Sequence, residues 1–141
     1  MSLLPTPEPD TLVHGILRVD GHWLAYGETN TGKSAAPRLF AGEPGAWSAV
    51  DTKAQGVGGI VAGTLDGKGQ PVLVGRTFEP YVANERSRYC SFVLVRSGGV
   101  WQRGELGCSE QPATSVTTLA DGRVLIAGNH DLWLRPAQAT G

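Results

Sequence analysis

Eight residues carry the most chemically suggestive spacing in this chain. Gly27-Glu-Thr-Asn-Thr-Gly-Lys33-Ser34 fits G-x-x-x-x-G-K-[ST] at every position and follows an apolar run. In a phosphate-binding loop, backbone N–H groups cradle the phosphates, the Lys neutralises them and the Ser holds Mg²⁺. That chemistry needs a helix starting at the Lys, because the helix N-terminus supplies donors and dipole. Here Pro37 stands four residues after Lys33, and Gly42-Glu-Pro-Gly45 follows. An interior Pro costs about 3 kcal/mol and removes a helical hydrogen bond. The octapeptide therefore reads as a polar loop between strands, and no nucleotide or other cofactor is expected.

A second set of residues lies just past short apolar strands: Glu28, Thr29, Arg76, Thr77, Asn129 and His130. Gathered at one rim, this mix of acid, base, hydroxyl and amide groups is what a polar ligand site uses. Asp20, Asp66 and Asp121 have the chemistry for a cation or sugar hydroxyls, but each precedes Gly, and Asp-Gly is first of all a turn. His14, His22 and His130 share no ligand spacing, so no metal site is expected. There is no Gly-x-Ser-x-Gly element and no catalytic residue is assigned. Trp23, Trp47, Trp101 and Trp133 have the type for stacking on sugars, yet tryptophans repeated at equivalent hairpin positions read first as core.

Cys90 and Cys108 flank a segment centred on Arg96-Ser-Gly-Gly-Val100, a hairpin turn. A three-residue loop pairs Ser97 with Trp101 and sets the two cysteines opposite each other, close enough for a disulfide. A two-residue loop displaces them by one and turns them to opposite faces. Both registers stay open, as do a disulfide and two reduced thiols.

The elements that must carry these residues announce themselves by repetition. Asp20-Gly21, Asp66-Gly67 and Asp121-Gly122 each lead into an apolar strand ending in Gly, at Gly27, Gly75 and Gly128. A recurrence near 50 residues marks a repeated sheet unit. Reading outward gives about eleven short strands and four-strand units over 20–65, 66–120 and, cut short, 121–141, with Leu12–Val19 as a lone strand ahead. The segments Leu39–Trp47 and Val93–Trp101 align without a gap. No dozen residues show helical periodicity free of Gly or Pro; a turn or two in Pro80–Arg88 is the best helix candidate.

Composition agrees: 20 Gly and 9 Pro in 141 residues favour turns and short strands, in one domain over 11–141 behind a flexible segment 1–10. A net charge of −1 offers no basic field for nucleic acid. No 18-residue apolar stretch and no signal-type N-terminus is present, so a soluble chain is expected, cytoplasmic if this is its natural full length.

The hairpin Phe92–Trp101, with Ser97, Gly98, Gly99 and Trp101, resembles the BNR or Asp-box repeat of sialidase-like propellers, without its Asp. Thr117–Gly128 resembles kelch-type repeats. Both resemblances imply an all-β chain, a partial β-propeller of about 2.5 four-stranded antiparallel blades; a small closed barrel or sandwich is the alternative. A partial ring leaves an apolar sheet face open, so a homo-oligomer or a larger parent propeller is expected. The functional expectation is a non-enzymatic binding module for a protein, a glycan or another polar ligand. The alternative is a sialidase-like carbohydrate hydrolase or a fragment of one, for which Arg38, Arg76, Arg88 and Tyr81 supply the residue types.

Overall fold

Apolar runs punctuated by Gly, Pro and Asp turns fold as strands throughout. The computed structural model describes residues 1–31, 35–52, 54, 56–79, 88–128 and 131–137. Among them are eleven strands and no helix: β1 (Thr11–Val19), β2 (His22–Asn30), β3 (Ala35–Glu43), β4 (Ala46–Ala49), β5 (Gly58–Leu65), β6 (Pro71–Glu79), β7 (Arg88–Ser97), β8 (Val100–Ser109), β9 (Ala113–Thr118), β10 (Val124–Gly128) and β11 (Leu132–Arg135). They form three antiparallel meanders, β1-β2-β3-β4, β5-β6-β7-β8 and β9-β10-β11, rather than one closed barrel. The helix candidate at 80–88 lies, up to residue 87, outside the described residues, and Arg88 opens β7.

The sheets cut across the sequence units. Each Asp-Gly turn sits inside a sheet, between its first and second strands, and Leu12–Val19 belongs to the first strand of the first sheet rather than standing alone. The reason is local. Asp20 and Gly21 adopt φ of 52° and 79°, the left-handed pair of a tight hairpin, so Val19 pairs directly with His22. Asp66 folds its Oδ1 back to accept from the N–H groups of Lys68 and Gln70 at 2.8 and 3.0 Å. Such turns keep neighbouring strands in one sheet.

The strand-ending glycines have a steric cause that recurs three times. Opposite each one the first strand of its sheet carries a bulge: between Val13 and Gly15, between Ile60 and Ala62, and between Ala113 and Ser115. The extra residue pushes the preceding carbonyl against the glycine. A Cβ on Gly27 would lie 1.8 Å from the Leu12 carbonyl oxygen, one on Gly75 2.6 Å from that of Gly59, and one on Gly128 3.1 Å from that of Pro112.

The sheets stack in series. Val19, Leu24, Tyr26 and Leu39 of the first pack on Ile60, Leu73, Phe92 and Leu94 of the second. On its other face the second sheet lays Val72 and Val74 against Ala113, Val124 and Ile126 of the third. Along β6 the side chains therefore alternate between two cores, as the two-residue period of a strand demands. Phe92, Leu73, Leu94, Val72 and Val74 are fully buried, each contributing about 1.5–3 kcal/mol of transfer free energy. Segment 1–10 is tied to the first sheet by an ion pair from Glu8 to Arg38 at 2.7 Å and by the Asn30 N–H donating to the Asp10 carbonyl.

Candidate functional site

The bulge in β1 and the glycine it requires bring chemistry to one end of the stack. His14 occupies the bulge, and its Nε2 lies 2.7 Å from Oε1 of Glu28, one residue past Gly27. The Glu28 side chain is half-buried and His14 sits on the exposed side of the pair. Glu28 also approaches Gly59, where a Cβ would sit 2.9 Å from its Oε1. A side chain at 59 would displace the carboxylate, so glycine there makes room for it.

Arg76 holds the position in the second sheet that Glu28 holds in the first, one residue past Gly75, and pairs with Gly59 across β5 and β6. Its guanidinium lies over the Tyr89 ring, 5.6 Å from the centroid, and Tyr89 meets Phe78 edge-on at 5.6 Å. Arg76 makes no ion pair among the described side chains. Glu28, Ala35, Val57, Gly58, Gly59, Arg76, Phe78 and Tyr89 together line a cleft of about 200 Å³ where the first sheet meets the second.

The six rim residues thus divide. Glu28 and Arg76 share this cleft. Thr29 pairs with Thr11 beside it, and the Thr77 hydroxyl donates to the Cys90 carbonyl at 3.5 Å. Asn129 and His130 lie outside the described residues. Sequence reading missed His14, Phe78 and Tyr89: Phe78 lies two residues beyond Arg76 on β6, Tyr89 reaches the cleft by pairing of β7 with β6 from 13 residues after Arg76, and His14 meets Glu28 from 14 residues before it. The strand-ending Gly27 marks where the partner strand comes close, but nothing in the sequence places His14 in the bulge.

Cys90 and Cys108 are joined by a disulfide with their Cα atoms 3.9 Å apart. The loop is the two-residue one, Gly98-Gly99, with Ser97 paired to Val100. A bulge restores the register: Phe92 faces Glu105 while Ser91 faces Gly107, so Leu106 is extra and Cys90 meets Cys108. The gapless alignment of the two hairpins corresponds to equivalent pairs, Gly42 with Trp47 and Arg96 with Trp101.

At the opposite end the Asp-Gly turns gather. The Asp20 carboxylate takes the Arg96 guanidinium at 2.7 Å, Arg96 also donates to the Gln70 amide oxygen, and a Cβ on Gly67 would sit 3.2 Å from the Gly122 Cα. Asp121 accepts from the Arg123 backbone N–H, and this bond together with the Arg123 guanidinium holds its carboxyl below the usual value. Between the first two sheets, burial raises the Tyr26 phenol above 10.0, opposed by a hydrogen bond with the Gly63 backbone. No group of three potential metal ligands is found among the described residues. No helix long and apolar enough to cross a membrane is found among the described residues. Residues 27–30 of the octapeptide belong to β2, which pairs Asn30 with Ala35 so that β3 follows where a phosphate loop requires a helix; residues 32–34 lie outside the described residues.

Comparison with protein-family models, curated proteins and solved structures found no match.

Proposed function

We propose that the chain is a binding module, an arc of propeller-like blades that holds a small acidic sugar in the cleft between its first two sheets. The observation that carries this reading is Arg76. A guanidinium stacked on an aromatic ring, with no carboxylate partner among the described side chains, offers its planar fork to a carboxylate. Around it the cleft supplies the other groups a sugar uses. Glu28, oriented by His14, accepts hydroxyl hydrogens, and Phe78 and Tyr89 give an apolar surface for a ring. A glycosidase uses a pair of carboxyl groups flanking the scissile bond. The described lining has one, Glu28, which favours binding over hydrolysis. Three four-stranded or near-four-stranded meanders stacked face to face support the blade reading.

The test is an NMR titration with glucuronate and, in parallel, with glucose. Glucuronate is expected to shift the resonances of Glu28, Arg76 and Tyr89, with Arg76→Ala weakening binding about 10–100-fold, the worth of a charge-assisted hydrogen bond. Equal response to the neutral sugar, or no shift at the cleft, would sink the reading.

A further inference from the structure

The two interfaces inside the chain repeat one pairing, and that pairing defines a third. Each sheet presents the same repeat positions to the next. Leu24 and Leu39 of the first sheet face the second, and Val72 and Val93, at the matching distance from the strand-ending glycine and in the matching strand, face the third. In the third sheet these positions are Leu125 and Leu132, with Leu134 two residues on. No sheet among the described residues covers them, and Leu132 and Leu134 are 72% and 52% exposed on the edge strand. Single exposed leucines are ordinary; an uncovered apolar sheet face is an interaction surface.

The receiving half of the pairing is also present and also open. Trp101 packs into the first interface, and the hairpin alignment puts Trp47 at the same place on the first sheet. There Trp47 pairs with Gly42 and Gly42 with Trp23, so two half-buried tryptophans flank a glycine notch, with Arg18 lying 4.8 Å over the Trp23 ring. Farther along this face Arg38, held by Glu8, lies over Phe40, which leaves the tryptophan row as the accessible part.

We propose that the third sheet of one copy docks through Leu132 and Leu134 onto the Trp23–Gly42–Trp47 row of a second copy, and that the reciprocal contact closes a two-chain ring. The occupant follows from continuity. The forward face of each sheet fits the rear face of the next, and on the first sheet's rear face Ala25 and Phe40 are buried while the Trp23–Gly42–Trp47 row stays partly exposed and is covered by no sheet among the described residues. A forward-to-rear contact generates rings or open filaments. Two copies of a three-sheet chain supply six sheets, within the roughly four to eight blades that propellers use, and three copies exceed it. This inference rests on the blade reading above and is independent of the cleft.

The 141-residue chain is examined by sedimentation equilibrium, with hydrogen exchange of the β6 and β7 amides followed in the same samples. The expected mass is twice 14.8 kDa. Leu132→Asp with Leu134→Asp, and separately Trp47→Glu, are each expected to give 14.8 kDa with β6 and β7 still protected. Mixing the two variants restores dimer, because one intact junction remains. A monomeric wild type with protected amides overturns the docking and leaves the stacked sheets standing. A monomer without protection overturns both. A Trp47→Glu variant that stays dimeric shows the leucine face pairing with itself, and the head-to-tail ring is then wrong.

Discussion

Replacing Gly27 by Ala puts the bulge-and-glycine rule under the most severe local test. The new methyl carbon would meet the Leu12 carbonyl oxygen at 1.8 Å and its carbon at 2.9 Å, and the His14 nitrogen at 3.1 Å. All three are backbone atoms of the paired strand, so no side chain can rotate away; β1 must lift off β2 at the bulge. Forcing one methyl into a packed site costs about 1–3 kcal/mol. Each ladder hydrogen bond that opens adds about 0.5–1.5 kcal/mol. Restricting the unfolded chain returns about 0.4–1 kcal/mol. The net expectation with one ladder bond opened is a loss of about 0.5–4 kcal/mol, centred on about 2, or about 6 °C in melting temperature at the centre for this chain length. Gly99→Ala isolates the conformational part, since φ is 78° there and nothing lies within 4 Å. It is expected to cost about 1 kcal/mol, the left-handed penalty less the unfolded-state gain. Gly128→Ala, with its nearest oxygen at 3.1 Å, belongs between the two. Urea unfolding followed by circular dichroism measures all three. If Gly27→Ala loses no more than Gly99→Ala, the carbonyl contact does not explain the strand-ending glycines.

Reducing the Cys90–Cys108 bond, or replacing both cysteines by Ser, is expected to cost about 3 kcal/mol from loop entropy over the 18-residue separation, measured by the same unfolding assay with and without reductant. Phe92→Ala removes a fully buried ring from the first interface and is expected to cost about 3–5 kcal/mol in urea unfolding; a loss below 1 kcal/mol would remove Phe92 from the core. The raised Tyr26 phenol means that folding favours its neutral form, so its contribution is complete below pH 10 and lost as pH rises through the higher folded value. An ultraviolet titration should show one tyrosine ionising above the others, absent in Tyr26→Phe. Asp121 has the opposite sign: its contribution is present above the ordinary value of 3.8 and disappears as pH falls through the lowered one. Carbon-detected NMR should place its midpoint below 3.8, and Arg123→Ala should move it back up.

Strand positions were legible because turn chemistry is local. Asp20-Gly21 and Gly98-Gly99 mark their hairpins, and the alignment of Leu39–Trp47 with Val93–Trp101 says that the two share a register without saying which one. What repetition does not reveal is its phase. A period near 50 residues looks the same whether a sheet begins at the Asp-Gly turn or one strand earlier, and only the tightness of that turn decides. The cysteine register was ambiguous for a related reason: the extra residue at Leu106 sits in a strand without a Pro or a turn signal to announce it. Glu28 and Arg76 could be grouped from sequence because each follows a strand-ending glycine. Tyr89 and His14 could not, since their approach depends on the pairing of β7 with β6 and on a bulge.

The stacked-sheet account is tested most directly by methyl and aromatic nuclear Overhauser contacts along β6. Leu73 should contact residues of the first sheet, among them Leu24 and Leu39, while its neighbours Val72 and Val74 contact residues of the third, among them Ala113, Val124 and Ile126, and none of the first. Contacts from Leu73 and Val74 to one and the same sheet would contradict the alternation, and with it both the blade reading and the docking surface drawn from it.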